Sequence, residues 1–131
     1  MNHINNEIDR VILKQATLKT PITFSGVGVH NGRSVNMTIY PAKQDTGIIF
    51  KRLDLNQNNI IEANNNNIDR SYLCTRVTNK HGASVSTIEH LMAAFSAFGI
   101  DNALVEINDA ELPALDGSSG EYVKKFSRFR C

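Results

Sequence analysis

The sequence lacks an excess of charge of either sign. Its 131 residues include 14 basic and 13 acidic side chains, which leaves a formal net charge of +1. Nucleic acids and anionic membranes present dense negative charge, so proteins that bind them need a strong positive field. The sequence also lacks a pattern of interleaved aromatic and basic residues. A nucleic-acid module is therefore disfavoured, and no nucleic-acid partner is expected.

Cysteine and long apolar runs are also scarce. Cys74 and Cys131 are too few for a disulfide framework, and they fit a reducing compartment better. The N-terminal stretch MNHINNEIDRVILKQ has no basic segment followed by an apolar one, so it does not read as a secretory signal. No apolar run is long enough for a transmembrane segment. These features predict a soluble, cytoplasmic protein with a single domain.

The first half of the chain indicates β-strands. Apolar residues recur at every second position of SVNMTIY, which predicts a strand with one buried face. The segment PITFSGVG before it predicts a second strand, and a change of apolar phase at Gly26 suggests a bulge. Asn31 and Gly32 lie between the two strands. This pair predicts a hairpin with a tight type I′ turn, which needs positive φ at both positions.

Further strands and two helices complete the predicted architecture. We expect strands at 47–52 and 103–107, a helix at 87–98, and a second helix after the turn in LPALDGSSG. Both helices lie in the C-terminal half, after most of the strands, so the predicted fold class is α+β. We expect a two-layer domain, in which two helices pack on one face of an about five-stranded mixed or antiparallel sheet.

The helix predicted at 87–98 carries an acid and an imidazole side by side near its start. Ser86 precedes Glu89 by three residues, which is the spacing of a capping box. A carboxylate in the first turn also suits the helix dipole, so Glu89 has a structural interpretation. His90 likewise has one, as an ordinary surface histidine or a satisfied core histidine.

Neither side of this helix is charged after Glu89. One stripe is expected to pack on the sheet: Ile88, Leu91, Met92, Phe95 and Phe98. The opposite side holds His90, Ala93, Ala94 and Ala97. A helix that is apolar all round is normally buried all round. We therefore expect a second domain or subunit to cover the alanine side, with His90 facing it.

Glu89 and His90 together suit zinc-dependent hydrolysis. An imidazole can bind Zn²⁺ while a neighbouring carboxylate takes a proton from the attacking water. A catalytic zinc, however, needs three protein ligands and an open position. The other histidines are His3, His30 and His81, and no H-x-x-x-H or H-x-x-x-D pattern occurs. By its own residues the chain does not complete a convincing zinc site.

Three segments resemble one enzyme family. They are SGVGVHNGRSVNMTIYPAKQDTGIIFKRLDL, VSTIEHLMAAFSAFGIDNALVEI and ELPALDGSSGEYV. They resemble the N-terminal domain of UDP-3-O-acyl-N-acetylglucosamine deacetylase, the zinc hydrolase of bacterial lipid A biosynthesis. The similarity runs from about Gln15 to Val123, and the T-x-E-H-L and G-V-G-[LV]-H motifs carry it.

The resemblance implies a two-domain enzyme with its active site at the domain junction. Glu89 then corresponds to the general base and His90 to one zinc ligand, and the remaining ligands come from a second domain. His30, Leu73 and Cys74 correspond to positions near the substrate, a UDP-sugar lipid precursor. Without the resemblance, His30 reads as a turn-flanking residue and Cys74 as a small buried hydrophobe.

The resemblance also divides the chain. Residues 1–14 read as an N-terminal extension, 15–127 as the deacetylase domain and 128–131 as a tail. The second domain of the family has no counterpart in this sequence, and we expect it as a partner, either in cis or in trans. We expect the chain alone to bind zinc weakly and to have no useful activity. The alternative is a non-catalytic, truncated remnant or partner-binding domain that associates through the apolar face of helix 87–98.

Overall fold

The computed structural model describes residues 15–70, 74–115 and 120–129. Its strands are β1 (Ile22–Gly28), β2 (Ser34–Pro41), β3 (Ile48–Arg52), β4 (Ile60–Glu62), β5 (Ile68–Arg70), β6 (Thr75–Thr78), β7 (Ser84–Ser86), β8 (Ala103–Ile107) and β9 (Pro113–Ala114). Its helices are α1 (Glu89–Ala97), between β7 and β8, and α2 (Gly120–Phe129), after β9. The fold class is α+β, as predicted. Within the described residues, neither helix has the length and apolar character to cross a membrane.

The strands form two sheets. Six of them make a mixed sheet in the order β4-β3-β8-β2-β1-β9, and β5, β6 and β7 make a smaller one. The neighbours β3 and β8 run parallel, whereas the other paired strands are antiparallel. A parallel pair needs a long crossover, and here the crossover holds the small sheet and α1. The large sheet corresponds to the predicted one, while the separate small sheet was not predicted.

The core lies between the large sheet and the two helices. Alternate residues of β2 and β8 are buried in it: Val35, Met37, Ile39, Ala103, Val105 and Ile107. Helix α1 contributes Leu91 and Phe95, and α2 contributes Tyr122 and Phe126. The rings of Phe95 and Phe126 stack with centroids 5.3 Å apart. The apolar alternation predicted for β2 is therefore confirmed, and it orients the sheet toward the helices.

The turn of the β1–β2 hairpin differs from the prediction. The N–H of Gly28 donates to the carbonyl of Arg33 at 2.9 Å, so the loop is longer than a two-residue turn. Gly32 has a φ of 68°, but Asn31 does not have positive φ. The N–H of Asn31 instead donates to the carboxylate of Glu111 at 3.2 Å. A contact with a residue distant in sequence, which local turn preference cannot include, shapes this loop.

Gly26 marks a close approach of two strands and not a bulge. The register of β1 against β2 continues through Gly26 without an inserted residue. A Cβ at this position would lie 2.7 Å from the carbonyl oxygen of Ala114. Ala114 belongs to β9, which pairs with the end of β1 where the sequence had indicated a turn. The glycine therefore lets β9 lie against β1.

Candidate active site

Glu89 is the first residue of α1, and its side chain reaches the start of β6. The N–H of Thr75 donates to Glu89 Oε1 at 3.3 Å, and the N–H of Ile88 donates to the carbonyl of Thr75 at 3.2 Å. The helix dipole favours a carboxylate in the first turn. Glu89 is therefore held, half-buried, between the helix end and a strand.

The predicted capping box is wrong. The N-cap residue is Ile88, which makes no side-chain capping hydrogen bond. Ser86 lies in β7, and its hydroxyl donates to the carbonyl of Ala110 at 3.3 Å. The Ser86 hydroxyl, which a capping box would need, therefore hydrogen-bonds the Ala110 segment instead. As a result α1 begins at Glu89 and not at Thr87.

The outward face of α1 carries His90. This side chain is exposed, and so are Ala93 and Ala97, which lie on the same face one and two turns further along. Ala94, which was predicted on this face, is buried at 1% exposure and packs in the core. The exposed face therefore consists of small uncharged side chains beside one imidazole.

A cavity of about 310 Å³ adjoins Glu89. Its lining residues are Ile68, Arg70, Thr75, Ile88, Glu89, Met92 and Ala93. Cys74 is half-buried and directly precedes Thr75, the first residue of β6, whose N–H donates to Glu89. Leu73, the other residue predicted on this strand, lies outside the described residues. The cavity is mainly apolar, with the Glu89 carboxylate and the Arg70 guanidinium among its few charged groups.

His30 lies in the β1–β2 loop and contacts a buried carboxylate. The ring Nδ1 of His30 is 2.5 Å from Glu111 Oε2. The backbone N–H of His30 donates to both carboxylate oxygens, at 3.0 and 3.1 Å. The His30 side chain is 53% exposed, whereas that of Glu111 is 4% exposed. One side of the imidazole is therefore attached to the protein interior, while the other remains accessible.

The carboxylate of Glu111 is stabilised by several donors at once. Besides His30, the N–H of Asn31 donates to it at 3.2 Å and the hydroxyl of Thr87 lies 3.4 Å away. Burial raises the pKa of Glu111, but the hydrogen bonds from His30 and Asn31 outweigh it and hold the pKa below its usual range. The group is therefore ionised at neutral pH. Glu111 was not predicted from the sequence, because nothing local marks it as buried.

A second acidic group supports the same loop. Asp109 is buried and accepts hydrogen bonds from Arg33 Nε at 2.9 Å and from the side-chain amide Nδ2 of Asn31 at 3.2 Å. The hydrogen bond from Arg33 lowers the pKa of Asp109 more than burial raises it. The loop that carries His30 is thus attached through its side chains and its backbone to the segment after β8.

Thr87 lies between β7 and α1 in an unusual backbone conformation. Its φ is 63°, a region that β-branched residues rarely occupy. Such a conformation persists only where the surrounding structure imposes it, and residues that adopt it cluster at functional sites. Here strand pairing precedes Thr87, and α1 begins two residues after it. The strained residue thus sets the direction in which Glu89 and His90 leave the strand.

The described residues do not make up a complete metal site. Among the residues that the structure describes, no three His, Cys, Asp or Glu side chains are grouped to hold a metal ion. The exposed imidazole of His90 could supply one ligand, with the carboxylate of Glu89 beside it. A zinc ion that used three protein ligands would need the others from outside these residues.

The fold and the site define a class: an α+β domain that presents a carboxylate and an imidazole side by side at a helix start. The sequence profile of the family UDP-3-O-acyl N-acetylglycosamine deacetylase (LpxC) matches residues 15–131. The chain belongs to this family, which confirms the resemblance found in its motifs.

Individual relatives agree with the family match. They are UDP-3-O-acyl-N-acetylglucosamine deacetylases from Cellvibrio japonicus, Pseudoalteromonas atlantica and Wigglesworthia glossinidia brevipalpis, which are 46%, 42% and 43% identical to the chain over 112 residues. These residues are 86% of this chain but only 37%, 37% and 38% of the relatives. The chain therefore spans little more than a third of the length of the curated relatives it matches.

Proposed function

We propose that this chain supplies the Glu89–His90 part of the active site of a zinc-dependent deacetylase, which removes acetate from UDP-3-O-acyl-N-acetylglucosamine in lipid A biosynthesis. The observation that carries the proposal is the position of these two residues. Glu89 lines a cavity at the first turn of α1, and His90 lies beside it on an exposed, uncharged helix face. Membership of the deacetylase family supports the same assignment.

In this proposal Glu89 is the general base. Its carboxylate takes a proton from the water that attacks the acetamido carbonyl, and the helix dipole favours a carboxylate at this position. His90 supplies one imidazole ligand to zinc. When bound, zinc would polarise the substrate carbonyl and make the attacking water more acidic. The other ligands would come from the part of the family protein outside this chain.

Substrate contacts are assigned to His30, Leu73 and Cys74. Cys74 directly precedes Thr75, which hydrogen-bonds Glu89, so a substrate next to Glu89 would lie close to Cys74. The accessible side of the His30 imidazole can hydrogen-bond a polar group of the substrate. We propose residues 15–127 as the domain, with 1–14 and 128–131 outside it, and the cytoplasm as its location.

The exposed face of α1 supports a second candidate function. Ala93 and Ala97 form a surface that a partner can approach closely. A non-catalytic chain could use this face to associate with a copy of itself. In that case Glu89→Gln would leave its behaviour unchanged, and His90 would bind no metal.

A chimera tests the catalytic proposal. Residues 15–127 would replace the matching segment of the Cellvibrio japonicus relative, and release of acetate from UDP-3-O-acyl-N-acetylglucosamine would be measured. We expect turnover by the chimera and none by the 131-residue chain alone. Glu89→Gln should lower kcat about 10²–10⁴-fold, as expected for loss of a general base.

The matched control is Glu62→Gln, which removes an exposed carboxylate on β4. It should leave kcat unchanged. Near-normal turnover of the Glu89→Gln chimera would overturn the assignment of the base. Stoichiometric zinc and measurable deacetylation by the 131-residue chain would show that it needs no second part.

A further inference from the structure

We infer that Glu111 is a positioning residue of this site: its buried carboxylate orients the His30 imidazole and connects the His30 loop to the turn before Glu89. The inference rests on the proposed function for the roles of His30 and Glu89. Its physical basis is a set of contacts that can be tested in the chain without any catalysis.

The first step is that donors on two separate segments converge on Glu111. The N–H groups of His30 and Asn31 and the His30 ring come from the β1–β2 loop. The Thr87 hydroxyl comes from the turn before α1. An ionised carboxylate that is removed from water is tolerated only when hydrogen bonds replace the solvent. The two segments that supply them are therefore held in a defined relation through one side chain.

Gly28 shows that the loop is built around this carboxylate. A Cβ at position 28 would lie 2.3 Å from Glu111 Oε1 and 2.5 Å from the Asn31 side-chain oxygen. A side chain at position 28 would therefore require the Glu111 carboxylate and the Asn31 side chain to move. The second glycine of the G-V-G-V-H segment therefore leaves room for Glu111, which explains part of this motif.

The next step concerns the proton on the His30 ring. An ionised carboxylate can only accept hydrogen bonds, so the 2.5 Å contact requires that Nδ1 of His30 carry the hydrogen. In the neutral imidazole Nε2 is then the acceptor. Because the ring is half-exposed, Nε2 is available to a substrate hydroxyl or amide. A carboxylate that selects the tautomer of a histidine in this way is a common support for functional imidazoles.

The last step is the connection to Glu89. The residues around Glu111 pair with the end of β7: the N–H of Ser86 donates to the carbonyl of Ala110 at 2.8 Å, and the N–H of Leu112 donates to the carbonyl of Ser86 at 3.2 Å. Thr87 follows at once, in its strained conformation, with its hydroxyl toward Glu111. A change at Glu111 is therefore transmitted to the turn that orients Glu89.

The test is ¹⁵N NMR of the histidine rings in the full 131-residue chain, at a pH where the imidazoles are neutral. Wild-type His30 should be the Nδ1–H tautomer, while His81, an exposed turn residue, should show the Nε2–H tautomer that free imidazole favours. Glu111→Ala, which removes every acceptor, should convert His30 to Nε2–H. Glu111→Gln keeps the shape but loses one acceptor oxygen, and should give a mixture.

Asp109→Asn is the matched control, because Asp109 is a buried carboxylate that accepts hydrogen bonds from the same β1–β2 loop but not from the His30 ring. It should leave the His30 tautomer unchanged. The Glu111 variants should also shift the backbone amide resonances of Thr87 and Glu89, and Asp109→Asn should not.

The inference is overturned if wild-type His30 is the Nε2–H tautomer, an outcome that needs no variant to fold. It is also overturned if the Glu111 variants leave the His30 ring and the Thr87 and Glu89 amides unchanged. Refutation of the proposed function is a separate result. It would appear as near-normal turnover of the Glu89→Gln chimera, while the NMR spectra of His30 stay as expected.

Discussion

At the scale of single residues, the candidate site depends on groups that are distant in sequence but share one buried carboxylate. Glu111 accepts hydrogen bonds from the His30 loop and from Thr87, and Gly28 leaves the space that it occupies. Asp109 supports the same loop through Arg33. Both carboxylates are buried and paired, so a change in their charge or their surroundings affects stability as well as the site.

Gly28→Ala should destabilise the fold. The added methyl group would lie 2.3 Å from Glu111 Oε1, so the carboxylate must move and lose hydrogen bonds. We expect the free energy of unfolding to fall by about 1–3 kcal/mol. Urea denaturation followed by circular dichroism measures this change. Val27→Ala, at a half-exposed neighbour, should change it by less than about 0.5 kcal/mol; equal effects of the two substitutions would refute the packing argument.

The two depressed pKa values predict loss of stability in acid. The pKa of Asp109 and that of Glu111 are lower in the folded state than their usual values of 3.8 and 4.5. The unfolded state therefore takes up protons first as the pH falls, so the stabilisation is complete above the unfolded pKa and is lost as the pH falls through the folded pKa.

The measurement is the free energy of unfolding in urea between pH 3 and pH 7. It should decrease below about pH 5, and Asp109→Asn should make the decrease shallower while it lowers stability at neutral pH. Asp69→Asn is the control, because Asp69 forms an exposed ion pair with Arg76 at 3.5 Å. Exposed pairs contribute little, so its pH profile should follow the wild type. A wild-type profile that is flat down to pH 3 would contradict the two pKa directions.

At the scale of elements, α1 is the part that presents the site. Its inner side packs Leu91, Ala94 and Phe95 into the core, and its outer side exposes His90 and two alanines. The helix can therefore tolerate charge on one side only. This asymmetry places His90 on the surface without any loss of core packing.

A pair of lysine substitutions tests this orientation. Ala94→Lys places a charge in a position that is 1% exposed and should cost about 3 kcal/mol or more. Ala97→Lys, three residues further on, should stay within about 0.5 kcal/mol of the wild type, because it is exposed near the helix C-terminus. Thermal and urea unfolding of the 131-residue chain measure both. If Ala97→Lys were as costly as Ala94→Lys, the outer face would already be buried in the chain itself.

The same elements show how far the sequence predicts the structure. Alternation of apolar residues was sufficient for β2, and β8 was found with the observed ends, because each has one buried face. The capping box failed because Ser86 pairs with Ala110, and the Asn31–Gly32 turn failed because Glu111 binds the loop. Glu89 and His90 could be proposed as site residues from their local motif. Glu111 could not, because its burial results from the pairing of segments far apart in the chain.

At the scale of the whole molecule, the two sheets and α1 meet at one place. The residue pair Ser86–Glu111 bridges the small sheet to the segment that leads into β9 of the large sheet. Glu89 and Thr75 form a second connection between α1 and the small sheet. The candidate site thus lies at the junction of the layers, and its exposed side is the uncharged face of α1. Under the proposed function, a partner that covers this face would supply the zinc ligands that complete the site.

Association through the α1 face is therefore the last prediction. We expect the 131-residue chain to bind the portion of the Cellvibrio japonicus relative that lies outside the matched segment, because an uncharged face of alanines allows close approach. Under the proposed function, that portion would also supply the other zinc ligands. Analytical ultracentrifugation of each part and of the mixture measures the complex. Ala97→Lys should weaken it at least about tenfold, which corresponds to 1.4 kcal/mol, while leaving the fold intact. The control Glu62→Gln lies on β4, away from this face, and should not change the affinity. A stable homodimer that Ala97→Lys disrupts, with no complex in the mixture, would instead favour the non-catalytic candidate function.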